Sequence, residues 1–420
     1  MSRLRDVLTT RGQAFAAAGV TLLLCGWGLG FPDISRVGVL LLVLPLAAAF
    51  TARRRPTDLR IERRLLPSRV AVDELATVTV VVENTSVHRS PLMLVEERLD
   101  YVLGDRPRFL LGRMSTGERR QIDYAIRSHL RGRHTLGPLT VQVRDAFGLT
   151  NRFAEVGGTD EVVVLPRIHP LTGGTPAGSG LGTEGETPHM VSLHGEDDQS
   201  IREYRDGDDL RRIHWPATAR TGDLMVRQED RPARRRAVIL LDPRASGHQG
   251  TGVGSSFEWA VSAVASLLTH LADAGYAVHL VSAESIRSGV VASVAELDTA
   301  LEMLAEASTS DDRALDELVR AAGTVAATGG LVVAVLADHD DEAFRRVASL
   351  RQSGGTGLAV VLDSASFGDG PGAGGAGHDG EARALAELLH LSGWSAVTVR
   401  AGGSMASAWA ALTTRGLVRR

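Results

Sequence analysis

Among the 420 residues, the group best placed to do chemistry is a histidine set in a run of carboxylates and guanidinium groups. From Ile201 to Trp215 the chain carries Arg202, Glu203, Tyr204, Arg205, Asp206, Gly207, Asp208, Asp209, Arg211, Arg212, Ile213, His214 and Trp215, and it continues through Ala219, Arg220, Gly222 and Leu224 to Glu229. His214 near Asp208 or Asp209 has the makings of a general base and the acid that orients it, the kernel of a hydrolase. No nucleophile motif such as Gly-x-Ser-x-Gly accompanies it. Two other readings compete. Tyr204, Ile213 and Trp215 can bury apolar area while the arginines pair with the interleaved acids, making the segment a clasp between domains. Trp, Tyr and Arg are also the usual anchors of a docking surface. Clasp and docking surface are compatible, and they are the preferred readings. Further along, two apolar runs end in acids, Asp242 and Asp338.

The bulk composition narrows the classes. A chain of this length exceeds one ordinary core, so two or three domains are expected. The net charge of −4 offers no basic field for nucleic acid, and the acids interleaved with the arginines weaken that class further. All the basic side chains counted as Lys or Arg are Arg, so an Arg at any one place is no sign of bidentate recognition. The single Cys25 excludes an intrachain disulfide framework, a cysteine-based zinc site and a dithiol redox pair.

The elements that must position these residues divide the chain into five stretches. Residues 1–56 predict a membrane hairpin, with helices over about 14–31 and 36–52 joined at Pro32-Asp33. Each run approaches the roughly 20 residues that span a bilayer, and two antiparallel helices satisfy the backbone in lipid. Arg3, Arg5 and Arg11 flank the first helix and Arg53, Arg54 and Arg55 the second, which predicts cytoplasmic ends and cytoplasmic soluble domains. A cleaved signal is the competing reading of the first run, but no small-residue cleavage site precedes the second.

Residues 57–170 alternate as several short strands, which predicts an all-β sandwich. Within it, Arg131 to Pro138 and Asp145 to Leu149 read as turn chemistry with Phe147 and Leu149 in the core, or else as a docking face. Residues 171–199 are rich in Gly, Thr and Ser and read as a flexible linker. Residues 200–235 hold the arginine–histidine segment. Residues 236–420 alternate strands and helices in the manner of a doubly wound parallel sheet, with a disordered glycine-rich insert over about 367–380. Such a sheet binds ligands outside the carboxyl ends of its strands, where Asp242 and Asp338 fall.

The pattern Arg202-x-Tyr204-x-x-Gly207-Asp208-x-x-Arg211-x-Ile213-His214-Trp215, then Ala219-Arg220 and Gly222-x-Leu224, closely resembles the signature of the bacterial domain of unknown function 58 family. The resemblance implies a von Willebrand factor A-like sheet for the last stretch. In such domains the first strand runs into Asp-x-Ser-x-Ser, and these oxygens with a second acid hold Mg²⁺. This chain reads Asp242-Pro-Arg-Ala-Ser246, so Asp242, Ser246 and Asp338 form a degenerate version in which Arg244 replaces the first Ser. A guanidinium has no lone pair for a metal, so no cofactor is expected, and Arg244 is expected to pair with Asp242 or Asp338 instead of an ion. The resemblance further implies partnership with a MoxR-type AAA+ ATPase and a transglutaminase-like membrane protein, in assembly or maturation of envelope-associated complexes. The combined expectation is a multi-pass cell-membrane adaptor, with the hydrolase centred on His214 as the alternative.

Overall fold

A computed structural model describes residues 8–54, 58–145, 147–173, 199–204, 213–229, 235–290, 294, 296–327, 330–352, 355–368 and 379–415. It is a mixed α/β structure that separates into two compact units. The first comprises residues 1–169, 249–265 and 296–309; the second comprises 170–248, 266–295 and 310–420.

The first unit begins with two apolar helices, α1 (Thr10–Leu29) and α2 (Pro32–Arg54). Thr9 starts α1 by accepting from Gly12 N, and Gly30 ends it at φ 72°, a left-handed conformation that glycine adopts without a side-chain clash. Gly30 and Phe31 separate the helices, and Pro32 opens α2, where its missing N–H costs nothing. The two helices pack on each other along small residues. A Cβ on Gly38 would lie 2.7 Å from Leu23 N and 2.9 Å from Gly19 O, and one on Gly26 2.7 Å from Ser35 N. Side chains such as Leu24, Trp27, Leu40 and Leu46 are exposed on the outside of the pair. Both helices are long and apolar enough to cross a membrane.

Nine strands follow: β1 (Leu59–Leu66), β2 (Val70–Ala71), β3 (Ala76–Asn84), β4 (Met93–Leu99), β5 (Arg108–Leu111), β6 (Arg119–Ile126), β7 (Gly132–Arg144), β8 (Asn151–Val156) and β9 (Asp160–Leu165). They form a sheet of order β1-β3-β6 and another of order β2-β9-β7-β4-β5, with β8 also on β7. The period-two alternation puts Val78, Val80 and Val82 of one sheet and Met93, Val95, Val141 and Val162 of the other into a single apolar core. One ion pair is buried there: Arg63 of β1 donates to Glu97 of β4 from Nη2 at 3.1 Å and to Asp160 from Nη1 at 2.9 Å. Burial pushes the Glu97 carboxyl up, against the pull of Arg63.

The second unit opens with β10 (Gln199–Glu203), the short helix α3 (Trp215–Thr221) and β11 (Met225–Glu229), where β10 and β11 pair antiparallel. Along the chain there follow β12 (Arg236–Leu241), α4 (Ser256–Asp273), β13 (Ala277–Val281), α5 (Ala283–Arg287), α6 (Leu297–Glu306), α7 (Ala314–Ala326), β14 (Leu331–Ala337), α8 (Asp341–Ala348), β15 (Thr356–Leu362), α9 (Asp379–Leu391), β16 (Ser395–Val399) and α10 (Met405–Arg415), of which α6 and the first part of α4 belong to the first unit. The five strands β13-β12-β14-β15-β16 are all parallel. Every residue of β14 is buried, as a sheet covered on both faces requires. One face carries Leu318 of α7, Phe344 of α8 and Leu385 of α9 in a common core. Outside that cluster, α4 and α10 meet where His270 stands edge-on to Trp409, 5.3 Å between ring centres. The chain passes from β12 outward to β13, then crosses back to β14 on the other side, so the sheet order reverses at the carboxyl ends of β12 and β14.

Helix α6 groups in space with the first unit rather than with its sequence neighbours. It packs on β7 and β9. Arg131 donates from Nε to Leu304 O at 2.9 Å and from Nη2 to Ala307 O at 2.5 Å, satisfying carbonyls at the open end of α6. Arg133 pairs with Glu306, and Arg69 with Asp298 and Glu302. The Arg131–Pro138 stretch, expected as turn chemistry or a docking face, therefore holds a helix that lies some 170 residues away in the chain. The linker residues 174–198 and insert residues 369–378 lie outside the described residues.

Candidate functional site

Elementary geometry places the first candidate at the reversal between β12 and β14. The apolar run of β12 delivers Asp242 immediately past its carboxyl end, and its side chain is fully buried. An isolated carboxylate there would be costly. Arg244, two residues on, turns back onto it. Its Nε lies 3.0 Å from Asp242 Oδ1 and 3.2 Å from Oδ2, and its Nη2 lies 2.7 Å from Oδ2. The Arg244 backbone N–H adds a bond to Oδ1 at 3.1 Å, and Ala337 N–H from the end of β14 one to Oδ2 at 3.2 Å. Burial lowers the Arg244 pKa, but the bonds and charges of Asp242, with Asp340 and Asp312 beyond, outweigh it and raise the value overall.

The surroundings close over this pair. Gly247 lies against the end of β14, where a Cβ would meet that of Ala337 at 2.9 Å. His248 Nε2 lies 2.9 Å from Asp242 O, and burial holds its imidazole below the usual range. The loop after β12 is stitched to residue 310 by Ala245 N–H on Ser310 O and Ser310 N–H on Pro243 O.

Of the three oxygen-bearing candidates, the structure gives each a separate partner. Asp242 is held by Arg244. Ser246 is exposed, and its hydroxyl donates to Asp312. Asp338 Oδ1 accepts from Ser364 N–H at 2.9 Å, and burial pushes its carboxyl up. Among the described residues no three His, Cys, Asp or Glu side chains converge as a metal cluster. A metal ion at Asp242 would need an oxygen lone pair that five donor contacts now occupy. The donor set as arranged does not fit Mg²⁺. Arg244 pairs with Asp242, the first of its two expected partners.

The second candidate is the arginine–histidine segment. Gly207, Asp208, Arg211 and Arg212 lie outside the described residues, as do Arg205, Asp206 and Asp209. For Arg202 only the backbone is described, within β10 opposite Val226. What remains is a small built unit. Tyr204 N–H donates to Leu224 O at 2.7 Å, His214 N–H to Met225 O at 2.7 Å, and Ile213 bridges Val226, which is buried. Tyr204 and Ile213 are half-buried. Trp215 is 66% exposed, not packed away with them as the clasp reading expected. It stands at the first position of a seven-residue helix with no buried residue, so its aromatic type finds no core to enter.

His214 takes a role that its sequence position did not announce. It is the residue before α3, and its Nδ1 accepts from Ala217 N–H at 3.2 Å. That is the helix-capping bond usually supplied by Ser, Asp or Asn. The other end of α3 explains Gly222, which closes the helix at φ 85°. Thr218 Oγ1 then accepts from Met225 N–H at 3.0 Å, tying α3 to β11. Arg220 is exposed in the last turn, where a cation suits the helix dipole. Among the described residues His214 makes no bond to an acid; its ring caps α3.

Known proteins relate to this chain as follows. No curated protein matches it. Solved structures with local similarity include the CARDB domain of a Pyrococcus furiosus protein, 22% identical over 26% of this chain and 92% of that one, TM-score 0.19. Another is an alkylpurine DNA glycosylase of Pseudomonas fluorescens, 20% identical over 34% of this chain and 41% of that one, TM-score 0.18. A Listeria innocua β-glucosidase is 16% identical over 26% and 16%, TM-score 0.14. Scores this low carry no argument about fold or activity. One match does bear on the candidate sites, covering β10, α3 and the sheet through β14: residues 200–353 fit the family model described as "Protein of unknown function DUF58", which supports that family for this chain.

Proposed function

We propose that this protein is a membrane-anchored scaffold, with its two N-terminal helices crossing the cell membrane as a hairpin and its soluble units on the cytoplasmic side. The arginines at both ends of the hairpin favour that orientation. On this reading the two-sheet β domain is a sandwich and the parallel sheet a degenerate von Willebrand A-like domain, which recognises partners without a metal. The partners fitting the family resemblance are a MoxR-type AAA+ ATPase and a transglutaminase-like membrane protein, and the process is assembly or maturation of envelope-associated complexes.

The observation that carries the scaffold reading is the exposure of Trp215. A large aromatic ring held out on a capped, hairpin-bound helix, with Arg220 on the same helix, is the chemistry of an interface anchor. Its neighbour His214 spends Nδ1 on the helix cap, which gives the hydrolase alternative no support. The test is co-purification of the full chain from native membranes. An AAA+ ATPase should be recovered with it, and Trp215→Ala should reduce that recovery without lowering the melting temperature. Equal recovery with the substituted protein would remove the segment from the interface.

A further inference from the structure

The turn between β7 and β8 is fastened to the start of α1. Thr9 Oγ1 donates to Gly148 O at 2.6 Å and Thr9 N–H to Leu149 O at 2.9 Å, while Leu8 bridges Thr150. Gly12 lies so close that a Cβ would meet Leu149 O at 2.2 Å. The turn is internally braced: Asp145 accepts from Phe147 N–H at 3.0 Å through Oδ2 and from Thr150 N–H and Oγ1 through Oδ1. Leu149 goes to the core as expected, but Phe147 does not. Its ring is 66% exposed at the tip.

Beside the tip, the outer face of the six-stranded sheet carries a short row rich in apolar side chains, while the charged pairs Arg108–Glu96 and Arg98–Glu155 lie on that face farther from the turn. Leu110 on β5 pairs Leu94 on β4, Leu94 pairs Gln142 on β7, and Gln142 pairs Phe153 on β8. This cross-strand row has Leu110 68% and Phe153 60% exposed. It lies two residues from the Arg144–Asn151 pair that closes the turn, about 7 Å along the strands. Leu92, just before β4, is exposed at the same end. A soluble surface does not normally gather such side chains without a partner.

The link to α1 identifies the partner. The 20 residues of α1 give a rod of about 30 Å, the thickness of a bilayer's hydrocarbon core. Thr9 and the exposed Arg11 then stand at the level of the lipid headgroups, and the bonded turn stands with them. Aromatic rings favour that layer, and Arg144 and Arg152 bracket the turn with positive charge suited to anionic headgroups.

We propose that the β7–β8 turn, through Phe147 and the Leu110–Leu94–Phe153 row, inserts into the interfacial layer of the same bilayer that α1 and α2 cross. This second contact rests on the spanning reading of the two helices, and it fixes the β domain against the lipid surface instead of leaving it to pivot on the hairpin.

The experiment uses the full chain with Cys25→Ser, in nanodiscs of phosphatidylcholine and phosphatidylglycerol. Nitroxide labels are placed in turn at Phe147→Cys, Leu110→Cys, Leu40→Cys and Tyr101→Cys. Leu40 is exposed on α2, and Tyr101 is exposed beyond the far end of β4. Labels at 147 and 110 should collide with oxygen in preference to a water-soluble nickel chelate, label 40 more strongly so, and label 101 in the opposite sense. Labels 147 and 110 behaving like 101, with label 40 deep in lipid, would overturn the insertion alone. Label 40 behaving like 101 would overturn the spanning reading and the insertion with it. Because positions 147 and 110 are exposed, labelling them removes no core contact.

Discussion

The Arg244 guanidinium embraces the Asp242 carboxylate by three contacts of 2.7–3.2 Å, with both side chains out of water. A fixed internal cation therefore stands where an open α/β sheet would otherwise receive a ligand. Breaking such a pair from one side leaves an uncompensated buried charge, at a cost of about 3–5 kcal/mol. Arg244→Ala should show a loss of that size in denaturant unfolding. Adding Asp242→Asn to it should recover a substantial part, because the stranded charge is gone. A double variant as unstable as the sum of the single ones would mean that the pair is not coupled.

The same geometry speaks to divalent cations. With both Asp242 oxygens taken by nitrogen donors, Mg²⁺ or Mn²⁺ should add nothing to the melting temperature of the wild-type chain. A saturable rise with either ion would show that Arg244 moves aside to admit it.

Asp338 supplies a pH dependence. Burial raises its folded-state pKa above the unfolded value, so the folded state binds the proton more tightly. Its ionisation then costs stability at neutral pH, and that cost is relieved as the pH falls through the raised value. Asp338→Asn keeps an oxygen for Ser364 N–H and removes the ionisable group. The melting temperature of the variant should exceed that of the wild type at pH 7, and the gap should close on acidification. A gap independent of pH would assign the effect to packing.

These predictions show where the sequence was legible. Runs such as Leu331–Ala337 read as strands because a sheet buried on both faces writes an unbroken apolar segment. Arg244 read as a substitute cation because the von Willebrand A-like resemblance implied a hydroxyl at its position. The attachment of α6 was hidden, since Arg131 and Arg133 reach it across more than 170 residues and leave no local period. For Phe147 and Trp215 the buried one of the two readings failed, for a shared reason. Aromatic type predicts a preference for burial, but the Asp145-braced turn and the short capped helix each hold the ring away from a core. The two N-terminal helices showed as apolar runs, yet their seam did not, because the contact between Gly19 and Gly38 depends on facing angles rather than composition.

That seam is testable. Gly38→Val adds side-chain atoms where a Cβ alone would already sit 2.7 Å from Leu23 N, so the helices must part. Close approach through small residues is the main source of helix pairing in lipid. The variant should melt earlier in detergent than the wild type, while Leu24→Ile, on the exposed side of α1, should not. Equal melting of both variants would mean that the helices do not depend on each other.

His214 allows a cap to be told from a catalyst. A cap needs only a short acceptor poised over Ala217 N–H, and Asn or Asp provides one. His214→Ala should destabilise the β10–α3–β11 unit by about 0.5–2 kcal/mol, seen as faster amide exchange at Ala217 and Thr218. His214→Asn should restore protection and also the co-purification of the AAA+ ATPase proposed above. A general base would behave otherwise, since Asn takes no proton at neutral pH and should fail as completely as Ala. Protection regained with function still lost would place the imidazole itself in the working chemistry of this segment.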